Sequence, residues 1–137
     1  MLAGADTKTS QVSVGEYIDL FTPILESGKD ILHVTLSSGI SGSYNSACLA
    51  KQHLDTEYPD RKIYIIDSIS ASGGYGLLVT TLAELKNEGY DIDKLAAWAE
   101  ENKLKAHAWF FSTDLTFFVK GGRVSKTSGF VGNLLNI

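Results

Sequence analysis

A chain of 137 residues with 12 Lys and Arg against 16 Asp and Glu carries a net charge of −4, and 44% of it is apolar. That length suffices for one ordinary domain and is marginal for two, and the apolar share excludes a disordered chain. The acidic balance, with no dense Lys/Arg cluster, excludes nucleic acid as the main partner. The single cysteine, Cys48, excludes an internal disulfide. Set among small and apolar residues, it predicts a buried structural thiol in a reducing compartment. Met1-Leu-Ala-Gly-Ala-Asp6 has neither the basic start nor the long apolar stretch of a secretory leader. No apolar run approaches the roughly 20 residues that span a bilayer, so no stable membrane insertion is expected and the expected location is cytoplasmic.

In chain order, Leu2 to Gln11 is small and polar and reads as a loop. Ser13-Val-Gly-Glu16 has the form of a capping box, and Tyr17, Ile18, Phe21, Ile24 and Leu25 recur at helical spacing behind it. Pro23 inside the pattern predicts a kinked or shortened helix, and Gly28 a C-terminal stop. Ile31 to Leu36 is an apolar run of the kind found in a central parallel strand. It breaks into Ser37-Ser-Gly-Ile-Ser-Gly42, after which a helix is expected to about Tyr58, with Tyr44, Ala47, Cys48 and Leu54 able to share a face. Lys62 to Asp67 reads as a second strand, and Ser68 to Gly76 as a second Ser/Gly-rich loop. Helices follow through Leu78, Leu82 and Leu85, stopped by Gly89, and then from Asp91 through Ile92, Leu95 and Ala99.

Strands alternating with helix-length crossovers mean a parallel α/β sheet, whose ligands bind at the carboxyl ends of the strands. Both serine loops fall there. Beyond Lys103 the spacing predicts an aromatic strand over Ala106–Ser112, a short helix over Asp114–Lys120 and a basic glycine turn, Lys120-Gly-Gly-Arg-Val-Ser125. The tail from Thr127 is interrupted by glycine and ends on Leu134-Leu-Asn-Ile137.

The serine loop is a candidate anion site, because amides at a helix N-terminus and the hydroxyls of Ser37, Ser38, Ser41 and Ser43 converge on it. It lacks the G-x-S-x-G spacing of a nucleophile elbow, and His33, His53 and His107 have no recognisable motif context as bases. No Gly-Lys-Ser/Thr follows to make a Walker loop, and Gly74-x-Gly76 lacks the third glycine of a dinucleotide fingerprint. No metal-ligand spacing is present, and no cofactor is expected. His33, inside an apolar strand, reads as a core histidine with its polar atoms satisfied.

Four segments together resemble the DegV family of bacterial fatty-acid-binding proteins: Lys8-Thr-Ser-Gln11, Thr35-Leu-Ser-Ser-Gly-Ile-Ser-Gly-Ser-Tyr-Asn-Ser-Ala47, Ile66-Asp-Ser68 with the glycines of Gly73–Gly76, and Phe118-Val-Lys-Gly-Gly-Arg-Val-Ser125. The resemblance implies a three-layer parallel-sheet α/β first domain over residues 1–104, lacking its first strand. Residues 105–137 would then begin a second α/β domain. It implies a long-chain fatty acid held by its carboxylate and presented to a separate fatty-acid kinase subunit, by a carrier that is not itself an enzyme. Carried over by motif, Thr9, Ser10, Ser37, Ser38, Gly39 and Ser41 are the ligand-binding candidates, with Arg123 near the head group or the kinase interface. Val12 stands where the family usually has proline. A first strand with an Asp-Ser motif and most of the second domain are missing from the resemblance, so the chain is expected to be a fragment that binds fatty acid poorly or forms a homodimer. The rival readings are a phosphate- or nucleotide-binding regulatory module and a serine-dependent hydrolase or phosphotransfer domain.

Overall fold

A computed structural model describes residues 9–113, 115–125, 127, 128 and 132. The chain divides into two compact units, Gln11–Ala108 and a second formed by Met1–Ser10 with Trp109–Ile137.

The larger unit begins with α1, Val14–Glu26. Ser13 Oγ accepts from the Glu16 amide while Glu16 accepts from the Ser13 amide at 2.8 Å, so the expected capping box forms. The Tyr17, Phe21 and Leu25 side chains share one buried face. Pro23 neither ends nor shortens the helix. It falls near the C-terminal end, where the missing donor costs one bond and the buried face still holds the last turn. Gly28 takes a left-handed φ of 78° and turns the chain into β1, Ile31–Thr35.

The crossover helix α2, Ser43–Glu57, returns the chain to β2, Ile63–Asp67. The strands pair in parallel from Ile31 opposite Ile63 to Thr35 opposite Asp67. Then come α3, Ser72–Asn87, a left-handed Gly89, and α4, Ile92–Asn102, whose N-cap Asp91 accepts from the Lys94 amide. Gly73, Gly74 and Gly76 therefore lie inside α3, not in the loop expected over Ser68–Gly76; only Ser68 to Ala71 connect β2 to it.

The arrangement is the expected α/β fold with a parallel sheet between helical layers. On one face Phe21, Leu25, Ala47, Ala50 and Leu54 of α1 and α2 pack on Ile31 and Ile63. On the other, Leu78, Leu82, Leu95 and Ala99 of α3 and α4 pack on Val34 and Ile66. The buried stripe of α2 is Ser43, Ser46, Ala47, Ala50 and Leu54, mostly small residues that bring the helix close to the sheet. Cys48 is only half-buried, contrary to the expected buried thiol.

His33 is also a correction. Its ring meets Tyr17 and Phe21 edge-on, with centroids 5.1 and 5.2 Å away, and its buried Nε2 has no hydrogen-bond partner. Packing against aromatic faces, not hydrogen bonding, holds it.

In the smaller unit, α5 spans Thr116–Lys120 and Gly122 is left-handed at φ 75°. Phe110 stacks on Phe118, and the Lys120 ammonium lies 5.7 Å from the Phe117 ring centre. The strand expected over Ala106–Ser112 is absent. A strand exists only when a neighbour takes up its backbone groups, and none does so among the described residues. Trp109 and Phe111 are 92% and 95% exposed. Asp114 and Leu134–Ile137 lie outside the described residues. No described helix is long and apolar enough to cross a membrane.

Burial holds the His33 imidazole below its ordinary 6.5. Above that value both folded and unfolded chains are neutral. Below it the unfolded chain takes up a proton that the folded one refuses, so stability falls as pH drops, until the folded pKa is passed. His33→Leu is expected to flatten this slope, measured as the difference in urea midpoint between about pH 5 and pH 7.5.

Candidate functional site

Both strands end where their loops open. Thr35 Oγ1, buried, donates to the Ile66 carbonyl at 3.3 Å, and Asp67 closes β2 with 7% of its surface exposed. From these ends the loops are stitched together. Asp67 Oδ1 accepts from the Ser38 amide at 3.1 Å and from the Ile69 amide at 3.0 Å, so one oxygen holds both loops. The Ser37 amide donates to the Ser70 carbonyl at 2.9 Å, and the Ser68 amide to the Thr35 carbonyl at 3.3 Å. Burial pushes the Asp67 carboxyl up, but the Ser38 hydroxyl, the Ile69 and Ser38 amides and the Lys103 charge outweigh it and leave it below its ordinary 3.8.

The serine loop then closes on itself. The Ile40 and Ser41 amides donate to the Ser37 carbonyl at 3.1 and 3.2 Å, and the Gly39 amide to Ser37 Oγ at 3.2 Å. Ser41 Oγ accepts from the Ser43 amide at 3.2 Å and donates to Ser43 Oγ at 2.9 Å. The amides of Gly39, Ile40, Ser41 and Ser43 are thus engaged within the serine segment, and those of Ser37 and Ser38 by Ser70 and Asp67. Hydroxyls remain as donors. Ser37 Oγ accepts from Gly39, which leaves its own proton free to point outward, whereas the Ser38 hydroxyl bonds Asp67.

The segment before α1 docks on the same helix start. The Val12 amide donates to Ser43 Oγ at 3.2 Å and Gln11 Nε2 to Ser46 Oγ at 3.4 Å. Gly42 is where the Gln11 amide group lies: a Cβ there would stand 1.9 Å from Gln11 Oε1. The Tyr17 hydroxyl, pushed up by burial, also bonds Ser43.

Across the way, Ile69 is left-handed at φ 51°, a costly conformation for a β-branched residue of about 1–3 kcal/mol. The Asp67 bond to its amide holds it there.

Of the sequence candidates, the structure gathers Ser37, Ser38, Gly39 and Ser41 into one turn. Thr9, Ser10 and Arg123 belong to the smaller unit and are exposed; Arg123 Nη1 donates to the Gly121 carbonyl. Sequence reasoning did not assign Asp67, Gln11 or Ser70, and it offered Ser43 as a hydroxyl donor to the ligand where the structure shows it bonded to Ser41 and accepting from the Val12 amide. A carboxylate ending an apolar strand beside Ser-Ile-Ser was the available signal for Asp67, and Gln11 sat within a quoted motif. No group of metal-ligating side chains occurs among the described residues.

A family model described as "uncharacterised protein, DegV family" matches residues 2–137. A DegV domain-containing protein of Clostridium perfringens is 39% identical over 134 residues, 98% of this chain and 46% of that protein. The crystal structure of the Streptococcus pneumoniae Fatty Acid Kinase (Fak) B3 protein loaded with linoleic acid superposes with a TM-score of 0.77 at 33% identity, covering 98% of this chain and 46% of that one. A Thermotoga maritima protein whose structure reveals fatty acid binding function gives 0.74 at 32% identity, over 88% and 43%. The chain spans about half the length of the curated relatives it matches.

Two substitutions separate the loop's bonds from its packing. Asp67→Ala strands the Ser38 and Ile69 amides and is expected to cost about 1–3 kcal/mol, with faster hydrogen exchange at both. Asp67→Asn keeps the Oδ1 acceptor but removes the charge. Because the folded pKa is depressed, its stabilisation is present above 3.8 and lost as pH falls through the folded value. Asp67→Asn should therefore flatten the stability profile below that pH. In α3, a Cβ at Gly74 would lie 2.3 Å from Ser70 Oγ and 2.8 Å from Ala108 Cβ, while at Gly76 nothing lies within 4 Å. In thermal denaturation Gly76→Ala should stabilise by about 0.5–1 kcal/mol and Gly74→Ala destabilise by about 1–3 kcal/mol.

Proposed function

The chain belongs to the DegV family, and from that premise we propose that it binds a long-chain fatty acid by its carboxylate and presents it to a separate kinase subunit for phosphorylation. The match along 98% of the chain to a fatty acid kinase B protein loaded with linoleic acid carries the reading. The same reading takes residues 1–104 as a DegV-like first domain and 105–137 as the beginning of a second. It makes the protein a carrier whose chemistry is done by its partner.

The site geometry supports this over its rivals. A phosphate or nucleotide nest needs convergent free amides, and here the amides from Ser37 to Ser41 are bonded to Ser70, Asp67 and Ser37. The buried Asp67 carboxylate beside them further opposes a dianion. A serine nucleophile needs a base within reach. His33 is turned onto Tyr17 and Phe21, and His53, near the far end of α2, pairs with Glu57 at 3.3 Å.

Hydroxyl donors suit a singly charged or protonated carboxyl group. Ser37 is the first donor, with Ser38, Gly39 and Ser41 shaping the turn; Thr9 and Ser10 complete the head-group set, and Arg123 stands near the head group or the kinase interface. Burying about 14 methylenes contributes at most about 11 kcal/mol at roughly 0.8 kcal/mol each. Each hydroxyl bond nets about 1 kcal/mol. The acyl chain therefore supplies affinity, and the serine turn fixes which end faces out.

Organic extraction of the purified protein followed by mass spectrometry is expected to yield a C14–C18 acid; a co-purified nucleotide would overturn the reading. In oleate titrations of a form extended to the length of its relatives, Ser37→Ala and Thr9→Ala should each weaken binding by about fivefold, the equivalent of one net hydrogen bond. Unchanged affinity in both would place the head group elsewhere.

A further inference from the structure

β1 sends Ile31 and His33 into the layer that α1 and α2 make. Ile31 is an ordinary core residue, but His33 can acquire a charge. Among the described residues, its Nε2 is the buried side-chain polar atom left without a hydrogen-bond partner. Its ring is clamped by Tyr17 and Phe21, with centroids 5.1 and 5.2 Å away. Those two side chains, with Leu25, are the buried face of α1. Two of the three anchors of α1 therefore rest on a titratable group.

Among the described residues, no charged side chain is placed to receive that charge. On α1 the titratable neighbour is Tyr17, while Glu16, Asp19 and Glu26 are exposed. The stripe of α2 against the sheet is Ser43, Ser46, Ala47, Ala50 and Leu54, none of which titrates. The ionisable groups of α2 pair among themselves: Lys51 with Asp55, His53 with Glu57, Tyr44 with Cys48. β2 sets Ile65 opposite His33, and Tyr75 of α3, across the sheet, spends its hydroxyl on the Val34 carbonyl at 3.3 Å. Burial governs the ring and holds the proton off. An aromatic face attracts a cation, but by less than it costs to desolvate one that has no carboxylate beside it.

Tyr17 carries the effect onward. Its ring touches His33 and its hydroxyl bonds Ser43. Ser43 Oγ in turn accepts from the Val12 amide at 3.2 Å and from the Ser41 hydroxyl at 2.9 Å. We propose that His33 is an acid-sensitive latch: protonation of its ring lifts α1 and the Gln11–Ser13 segment from the sheet and, through Tyr17 and Ser43, loosens the serine turn while β1 and β2 stay paired. The two states are α1 docked and α1 free, and the free helix largely unwinds, because 13 residues are marginal as a helix without a packed face. As control of ligand release the latch rests on the fatty-acid reading. Its test is made without ligand, so that the two stand or fall separately.

The measurement is residue-resolved hydrogen exchange of the whole chain at about pH 7.5 and about pH 5, corrected for the intrinsic pH dependence of exchange. Protection at the Phe21, Leu25 and Ser43 amides should fall about tenfold or more on acidification, because the open form takes up a proton that the docked form refuses. At both pH values it should stay below that of the paired amides of β2, the mark of an opening smaller than global unfolding. His33→Leu and His33→Phe, neither of which can take a proton, should abolish the acid response, and His53→Gln should leave it intact. The proposal fails if α1 and β2 exchange at a common rate, which makes the opening global, or if protection in α1 does not change with pH. It fails equally if the acid response survives replacement of His33.

Discussion

Five residues of β1 lie parallel to five of β2, and the larger unit is arranged around that pairing. Parallel neighbours cannot be joined by a tight turn, so the chain must travel back through α2, and it does so across one face of the sheet. The parallel direction also brings the carboxyl ends of both strands to the same side. The serine turn and the Ser68–Ala71 connection face each other for that reason alone. The side chains of each strand alternate, sending Ile31 into one helical layer and Val34 into the other.

At the shared end, the site is built chiefly from short-range polar bonds. Ser37 supplies a carbonyl and a hydroxyl to three amides of its own turn, and Asp67 ties that turn to the neighbouring loop. Such a turn is preorganised: its donors are fixed before any ligand arrives, so binding loses little to ordering. The arrangement also explains why a loop rich in serine need not be a catalytic one. Its hydroxyls serve the backbone first, and only Ser37, which accepts an internal bond, keeps a donor to offer.

Much of this was legible in the sequence, and the misses have physical causes. The capping box at Ser13, the stops at Gly28 and Gly89 and both strands follow from local chemistry, and they formed as expected. Pro23 misled because a proline's effect depends on how much helix follows it. Gly74 misled because a glycine can mark a close approach inside a helix as well as a loop, and there Ser70 and Ala108 press so close that a Cβ would clash, whereas Gly73 and Gly76 have open space. The aromatic run at Trp109 has the pattern of a strand, but pairing is a property of two segments, and its own residues cannot announce the absence of a partner. The serine turn's residues were readable as a site, yet the role of Asp67 was not, since its partner Ser38 lies 29 residues away in sequence.

The single oxygen that Asp67 gives to both loops bears on the order in which the protein assembles. Its bond to Ile69 closes a local turn, but its bond to Ser38 spans a chain segment that must first fold through α2. The entropy of closing that segment is met by strand pairing, not by the carboxylate. The serine turn is thus among the last parts to settle during folding, once the strands beneath it have paired.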